Sequence, residues 1–282
     1  MSRVVVTGFS SLDYAMRLDR RPVADRTASI RSRPAEWPRP GGSPAFVASA
    51  MAKAGFGDVA PVSWVGEDAA SDAFLAALAT QGVRLDGMAR RSGRMPVCML
   101  AYPPDGGCYC LYDPGLDAPA GLDERQRRLI GDAGWLCLTI GPAQVTRDIL
   151  ALIQPATQLV WSVKVDERAL PCELAARVAA RADIVAWNQG EGSLVASALA
   201  AGGPGRQDRL LIETRGASEI ALHRGAAVEL FPVTRVEAED TTGAGDTFLG
   251  GFLAALITSP ADPSAAIMAG ARSAQAMLAA RS

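Results

Sequence analysis

One stretch near the end of the chain constrains its fold more than any other: Glu239-Asp240-Thr241-Thr242-Gly243-Ala244-Gly245-Asp246-Thr247-Phe248, continuing into Leu249-Gly250-Gly251-Phe252-Leu253-Ala254-Ala255-Leu256. An alternating run from Val228 to Val236 precedes it, as a strand reads, and the Ala/Leu-rich continuation has helical spacing. Gly243 and Gly245 therefore sit where extended backbone turns into a helix. At such a turn the first helical N–H groups lack partners and point outward, beside the positive end of the helix dipole. That arrangement receives a phosphate or a developing oxyanion. Asp246 adjoins the same spot, and a carboxylate there repels phosphate unless its task is to take a proton from an attacking hydroxyl. A plain helix cap with a first-turn acid is the structural alternative.

Taken whole, the string resembles the signature of the ribokinase-like (PfkB) family of sugar and nucleoside kinases. The resemblance implies that the Gly243, Ala244 and Gly245 backbone forms an anion hole and that Asp246 is the general base. It implies an α/β fold, a ribokinase-like three-layer α/β/α sandwich with a mainly parallel central sheet and a small β lid. Strands alternating with helices along the 282 residues, without repeats or a linker, fit a parallel sheet covered on both faces. We expect one domain over residues 1–282, with the lid formed by insertions at about 14–40 and 94–114.

Bulk properties exclude several classes. A hydrophobic content of 49% marks a globular chain, and a net charge of −2 without a Lys/Arg tract argues against nucleic acid or an anionic membrane as partner. No apolar run reaches the ~18 residues of a membrane span, and the start lacks a signal-peptide pattern, so a cytoplasmic location is expected. The five cysteines lack zinc-ligand spacing; Cys108 and Cys110 read as apolar strand residues in a reducing compartment. With His223 the sole histidine, a His-based triad is improbable.

Upstream segments extend the resemblance. Arg3 to Gly8 reads as a buried strand, and Asp13 follows it, at the carboxyl end where open α/β sheets bind ligands. The spacing of Gly8 and Asp13 matches the family's Gly-x-x-x-x-Asp, whose Asp accepts hydrogen bonds from substrate hydroxyls; a loop-capping Asp is the alternative. The basic, proline-rich segment from Met16 to Pro40 reads as a small exposed sheet whose arginines form a solvated face. Gly41 and Gly42 resemble the substrate-side Gly-Gly pair, but Phe46 stands where many members carry Asn. Val97 to Leu100 and Cys108 to Tyr112 read as a hairpin, the lid's other half.

Further along, Asn188 and Glu191 match the family's Asn-x-x-Glu, which implies that Glu191 organises the water shell of Mg²⁺ and that Asn188 lies near the nucleotide phosphates. Thr214 and Gly216 resemble its phosphate-contacting Thr-x-Gly turn. The family's Asp-x-Asn-x-Arg pattern fails at Ser162-Val163-Lys164-Val165-Asp166, where Lys164 could reach a phosphate. In the closing helical segment, Pro263 to Ser282, Ser273 takes the place of a nucleotide-side Asn. Thr242 belongs with the nucleotide site, and Asp240 with Thr242 could supply part of a site for a monovalent cation such as K⁺. The implied reaction is transfer of the ATP γ-phosphoryl group to a primary hydroxyl of a small sugar, with Asp13, Gly41, Gly42 and Phe46 on the acceptor side. A nucleoside kinase and a catalytically weak sugar-binding regulator of the same fold are the alternatives. Exposed lid edges make a homodimer plausible.

Overall fold

Val4-Val5-Val6-Thr7 is a run of β-branched residues without polar alternation, the pattern of a strand covered on both faces. In the computed structural model it forms strand β1 (Val4–Thr7), fully buried. The structure describes residues 3–281 except 119, 204, 205, 207 and 239; Glu239 of the signature and Ser282 of the closing segment therefore lie outside the described residues.

β1 lies inside a nine-stranded sheet. On one side it pairs with β5 (Val59–Val65), which pairs with β6 (Met88–Arg90); on the other come β9 (Trp135–Leu138), β10 (Gln158–Ser162), β11 (Ile184–Asn188) and β12 (Leu210–Thr214), all parallel. An antiparallel hairpin, β13 (Glu219–Arg224) and β14 (Ala227–Pro232), ends the sheet beyond β12. Alternate side chains of β1 enter different cores: Val4 and Val6 join one, Val5 the other. The first core is roofed by α1 (Ser43–Lys53), α2 (Ala69–Thr80), α7 (Ala244–Thr258) and α8 (Pro263–Ala279). The second lies under α3 (Glu124–Gly131), α4 (Ala143–Leu152), α5 (Cys172–Arg181) and α6 (Gly192–Ala201). This is a three-layer α/β/α sandwich. Among the described residues no helix is long and apolar enough to cross a membrane.

A second sheet stands apart, with β2 (Ser11–Leu18), β3 (Ile30–Ser32), β4 (Arg39–Gly41), β7 (Val97–Tyr102) and β8 (Tyr109–Asp113). β2 begins before the lid insertion expected from about residue 14, already at Ser11, so Asp13 lies on a strand and not in a loop. Its inward positions include Ser11 and Asp13, buried polar residues that mask the strand alternation. The strand read as Val228 to Val236 ends at Pro232, and Cys108, expected on a strand, precedes β8; Cys108 and Cys110 are both exposed.

Candidate active site

The signature turn takes its shape from one glycine. Gly243 caps α7 in the left-handed region, at φ 78°, and a Cβ there would lie 2.7 Å from the Phe46 ring. Phe46 is thus packed beneath the turn. Ala244 N–H donates back to the Thr241 carbonyl at 3.1 Å, so the expected contribution of Ala244 to an anion hole is not available in this conformation. Gly245 and Asp246 occupy the opening turn of the helix, where amides have no intrahelical acceptor.

Asp246 is buried at 6% exposure, and its Oδ1 has no hydrogen-bond partner among the described residues. Lys164 follows β10, and its ammonium is held above the ordinary lysine value by the charges of Asp246 and, less strongly, Glu191. Glu191, buried at 6% exposure, has its carboxyl pushed up by burial while Lys164 opposes the shift. Its Oε2 accepts the Asn188 N–H at 2.8 Å, and Asn188 Oδ1 accepts the Gly190 N–H at 2.8 Å. The Asn-x-x-Glu pair is therefore a reciprocal cap on the single 3-10 turn Gln189–Glu191, which fixes Glu191 at the end of β11. A lone fixed carboxylate suits Mg²⁺, which keeps most of its waters. Among the described residues no group of three or more His, Cys, Asp or Glu could hold a metal ion.

Asp13 meets this cluster from the second sheet. It is 3% exposed, accepts the Ser11 hydroxyl at 2.6 Å, and has its pKa raised to about 6, chiefly by burial, with Asp240 and Asp246 adding to the rise. A Cβ on Gly41 would lie 2.0 Å from the Asp13 carboxyl carbon, so only glycine leaves that carboxylate in place. Register pairs Asp13 with Arg39 on β4 and Cys98 on β7, and Cys98 with Tyr112 on β8. Paired residues of neighbouring strands share a face, so Arg39, Asp13, Cys98 and Tyr112 form one rung on the side facing the large sheet.

Three expectations need correction. Arg39 lies within the segment read as solvated, yet it is 5% exposed and ion-paired with Asp240. Arg281 adds a second guanidinium 3.7 Å from Asp240, and these two cations take the room a monovalent ion such as K⁺ needs at that carboxylate. Ser273 donates to the Ala269 carbonyl of its own helix at 3.1 Å and lies against Gly251, at the contact of α7 and α8, so its hydroxyl is already engaged. The other expected nucleotide residues fall around the end of the sheet. Thr214 Oγ1 donates to Trp187 O at 3.2 Å, Gly216 stands in an open turn, and Thr242 shares a hydrogen bond with the Tyr102 hydroxyl of β7. Arg39, Arg281 and Tyr102 gave no motif to find; their roles come from register and from the chain end folding back.

Beside Tyr112 a cavity of about 380 Å³ opens, lined by Phe9, Ser10, Trp64, Tyr112, Asp117 and Pro142 among others. Its walls are mainly apolar and aromatic, with the Phe9 and Tyr112 rings 5.4 Å apart. Among the described residues the Ser10 hydroxyl is buried without a partner, and no Lys or Arg lines the space.

A family model described as pfkB family carbohydrate kinase matches residues 3–282. A protein of Halopiger xanaduensis named ATP-dependent ribose-1-phosphate kinase is 30% identical over 261 residues, covering 92% of this chain and 86% of its own. The fold is similar to that of ribokinase from Cryptococcus neoformans var. grubii in complex with ADP, with a TM-score of 0.81 at 20% identity, covering 99% of this chain and 94% of the other. It is similar also to a nucleoside kinase of Methanocaldococcus jannaschii, with a TM-score of 0.80 at 16% identity, covering 99% and 92%.

Proposed function

The chain belongs to the pfkB family of carbohydrate kinases, and from that premise we propose that it transfers the γ-phosphoryl group of ATP to a primary hydroxyl of a small sugar or sugar-like acceptor. The observation that carries this reading is the buried, unpaired Oδ1 of Asp246, at the helix opening that Gly243 creates. A carboxylate oxygen left without a donor can accept the proton of an incoming hydroxyl. Asp13 and the Gly41-Gly42 backbone hold the acceptor, and the amides of Gly243 and Gly245 face the charge that develops on the transferring phosphoryl group. Lys164 supplies a cation between Asp246 and Glu191. Glu191 would hold Mg²⁺ through water, and the ion would supply positive charge against the phosphates. Asn188, Thr214, Gly216 and Thr242 border the nucleotide. The second sheet acts as a lid that excludes water, which competes with the acceptor. Met99 and Leu111, 48% and 63% exposed on its outer face, support pairing of two copies through the lid.

A nucleoside acceptor is a second reading, favoured by the cavity. Two strand spacings, ~10 Å, separate Tyr112 from Asp13 on their rung, room for a sugar at Asp13 with a planar base beyond it. The aromatic walls and the absence of a lining cation suit a neutral base better than the phosphate that the Halopiger relative's named substrate carries. The test is ATP consumption with Mg²⁺ across pentoses, hexoses, ribose 1-phosphate and nucleosides. Saturable turnover with one acceptor supports the kinase reading and names its class. Binding of a sugar without turnover by any of the panel would replace it with a sugar-binding regulator.

A further inference from the structure

The rung that carries Asp13 also carries a thiol, and a second thiol lies against it. Cys98 on β7 is in register with Asp13 and Tyr112, while Cys110 on β8 is in register with Leu100. The two cysteines are therefore diagonal neighbours on the face turned toward the active site. Their sulfurs are 3.3 Å apart, already in contact and within about 1.3 Å of the ~2.05 Å of a disulfide bond. Their settings differ: Cys98 is buried at 9% exposure, and Cys110 is exposed. The contact pulls the Cys110 thiol down, whereas the same contact and burial push Cys98 up. One thiol is thus open to attack from solution and the other is poised behind it, the arrangement of an attacking and a resolving cysteine.

We propose that Cys98 and Cys110 form a peroxide-reactive dithiol that closes to a disulfide across β7 and β8 and weakens acceptor binding. In the first step the Cys110 thiolate attacks the O–O bond of a peroxide. An S–O bond forms, the peroxide is reduced, and, when it is hydrogen peroxide, one water leaves after proton uptake; Cys110 becomes a sulfenic acid. In the second, Cys98 gives up its proton and attacks the Cys110 sulfur. The S–S bond forms, the S–O bond breaks, and a second water leaves. Two thiols and one hydrogen peroxide become one disulfide and two waters, and a dithiol reductant reverses the change. The disulfide replaces a thiol beside Asp13 and clamps β7 to β8. Tyr102 of β7 is hydrogen-bonded to Thr242, so the clamp also acts on the signature turn. The loss of acceptor affinity rests on reading Asp13 as an acceptor ligand; formation of the bond does not.

The full chain is treated with limiting hydrogen peroxide, alkylated, digested and analysed by mass spectrometry, with acceptor and ATP kinetics measured on the same samples. The expected result is a Cys98–Cys110 linked peptide that forms more slowly with acceptor bound. The acceptor KM should rise several-fold, the ATP KM should hold, and dithiothreitol should restore both peptide and kinetics. Cys110→Ser should keep the reduced enzyme's kinetics under peroxide, and Cys98→Ala should yield no linked peptide. A link through Cys108, or over-oxidation of Cys110 without a Cys98 link, would overturn the dithiol. A clean Cys98–Cys110 link with an unchanged acceptor KM would overturn its effect on the site, whereas the place given to Asp13 is tested separately by the acceptor KM of Asp13→Asn.

Discussion

Asp13 should cost the fold stability that an asparagine would return. Its pKa lies at about 6 instead of 3.8, with burial the largest cause, the Ser11 hydrogen bond and Arg39 opposing the rise, and Asp240 and Asp246 adding to it. At about 1.4 kcal/mol per pH unit, that gap corresponds to ~3 kcal/mol. Below pH 3.8 the group is protonated in folded and unfolded chains alike and costs nothing. As pH rises toward 6, the unfolded chain ionises first, so stability falls across that window and stays lower above it. Asp13→Asn keeps the shape and an acceptor for the Ser11 hydroxyl but cannot ionise. It should therefore raise the unfolding free energy at pH 8 by ~2–3 kcal/mol, roughly 3–5 °C in Tm, and the gain should shrink to about 1 kcal/mol at pH 4.5. Denaturant unfolding followed by fluorescence of the five tryptophans measures both values. The same variant should lose acceptor binding, and the wild-type kcat/KM for acceptor should fall as pH drops through 6. A variant no more stable than wild type at pH 8, or a gain equal at both pH values, would refute the reasoning.

Gly41→Ala places a Cβ 2.0 Å from the Asp13 carboxyl carbon and should raise the acceptor KM by roughly tenfold or more, ~1.4 kcal/mol, with the ATP KM unchanged in steady-state assays. Arg39→Met leaves the buried Asp240 with the Thr242 N–H and, as remaining cation among the described residues, the more distant Arg281, and should destabilise the fold by about 3 kcal/mol; a denaturant midpoint equal to wild type would contradict it. Glu191→Gln should raise the Mg²⁺ concentration for half-maximal activity by roughly 10-fold or more, as read from a Mg²⁺ titration at saturating ATP.

The large sheet was legible because its central strands are short, continuous apolar runs. Val59 to Val65, for example, is buried along its whole length. The second sheet was harder, since its inner face is polar where it meets the site: Ser11, Asp13 and Arg39 break the alternation that betrays a strand. For the same reason Arg39 reads as solvated until register sets it opposite Asp13 and beside Asp240. Local patterns such as Gly243 to Asp246 carry their turn with them. The pairing of Cys98 with Cys110, the closure of Arg281 over Asp240, and the packing of Ser273 on Gly251 depend on tertiary geometry that no short pattern encodes.

Asp246→Asn tests the central claim most directly. The substitution preserves the side chain's shape at the head of α7 while removing the proton acceptor. Turnover with the acceptor found by the panel should fall by ~10²–10⁴-fold, while ATP binding by calorimetry and the unfolding midpoint stay close to wild type. Turnover within a few-fold of wild type, with binding intact, would show that Asp246 is not the base.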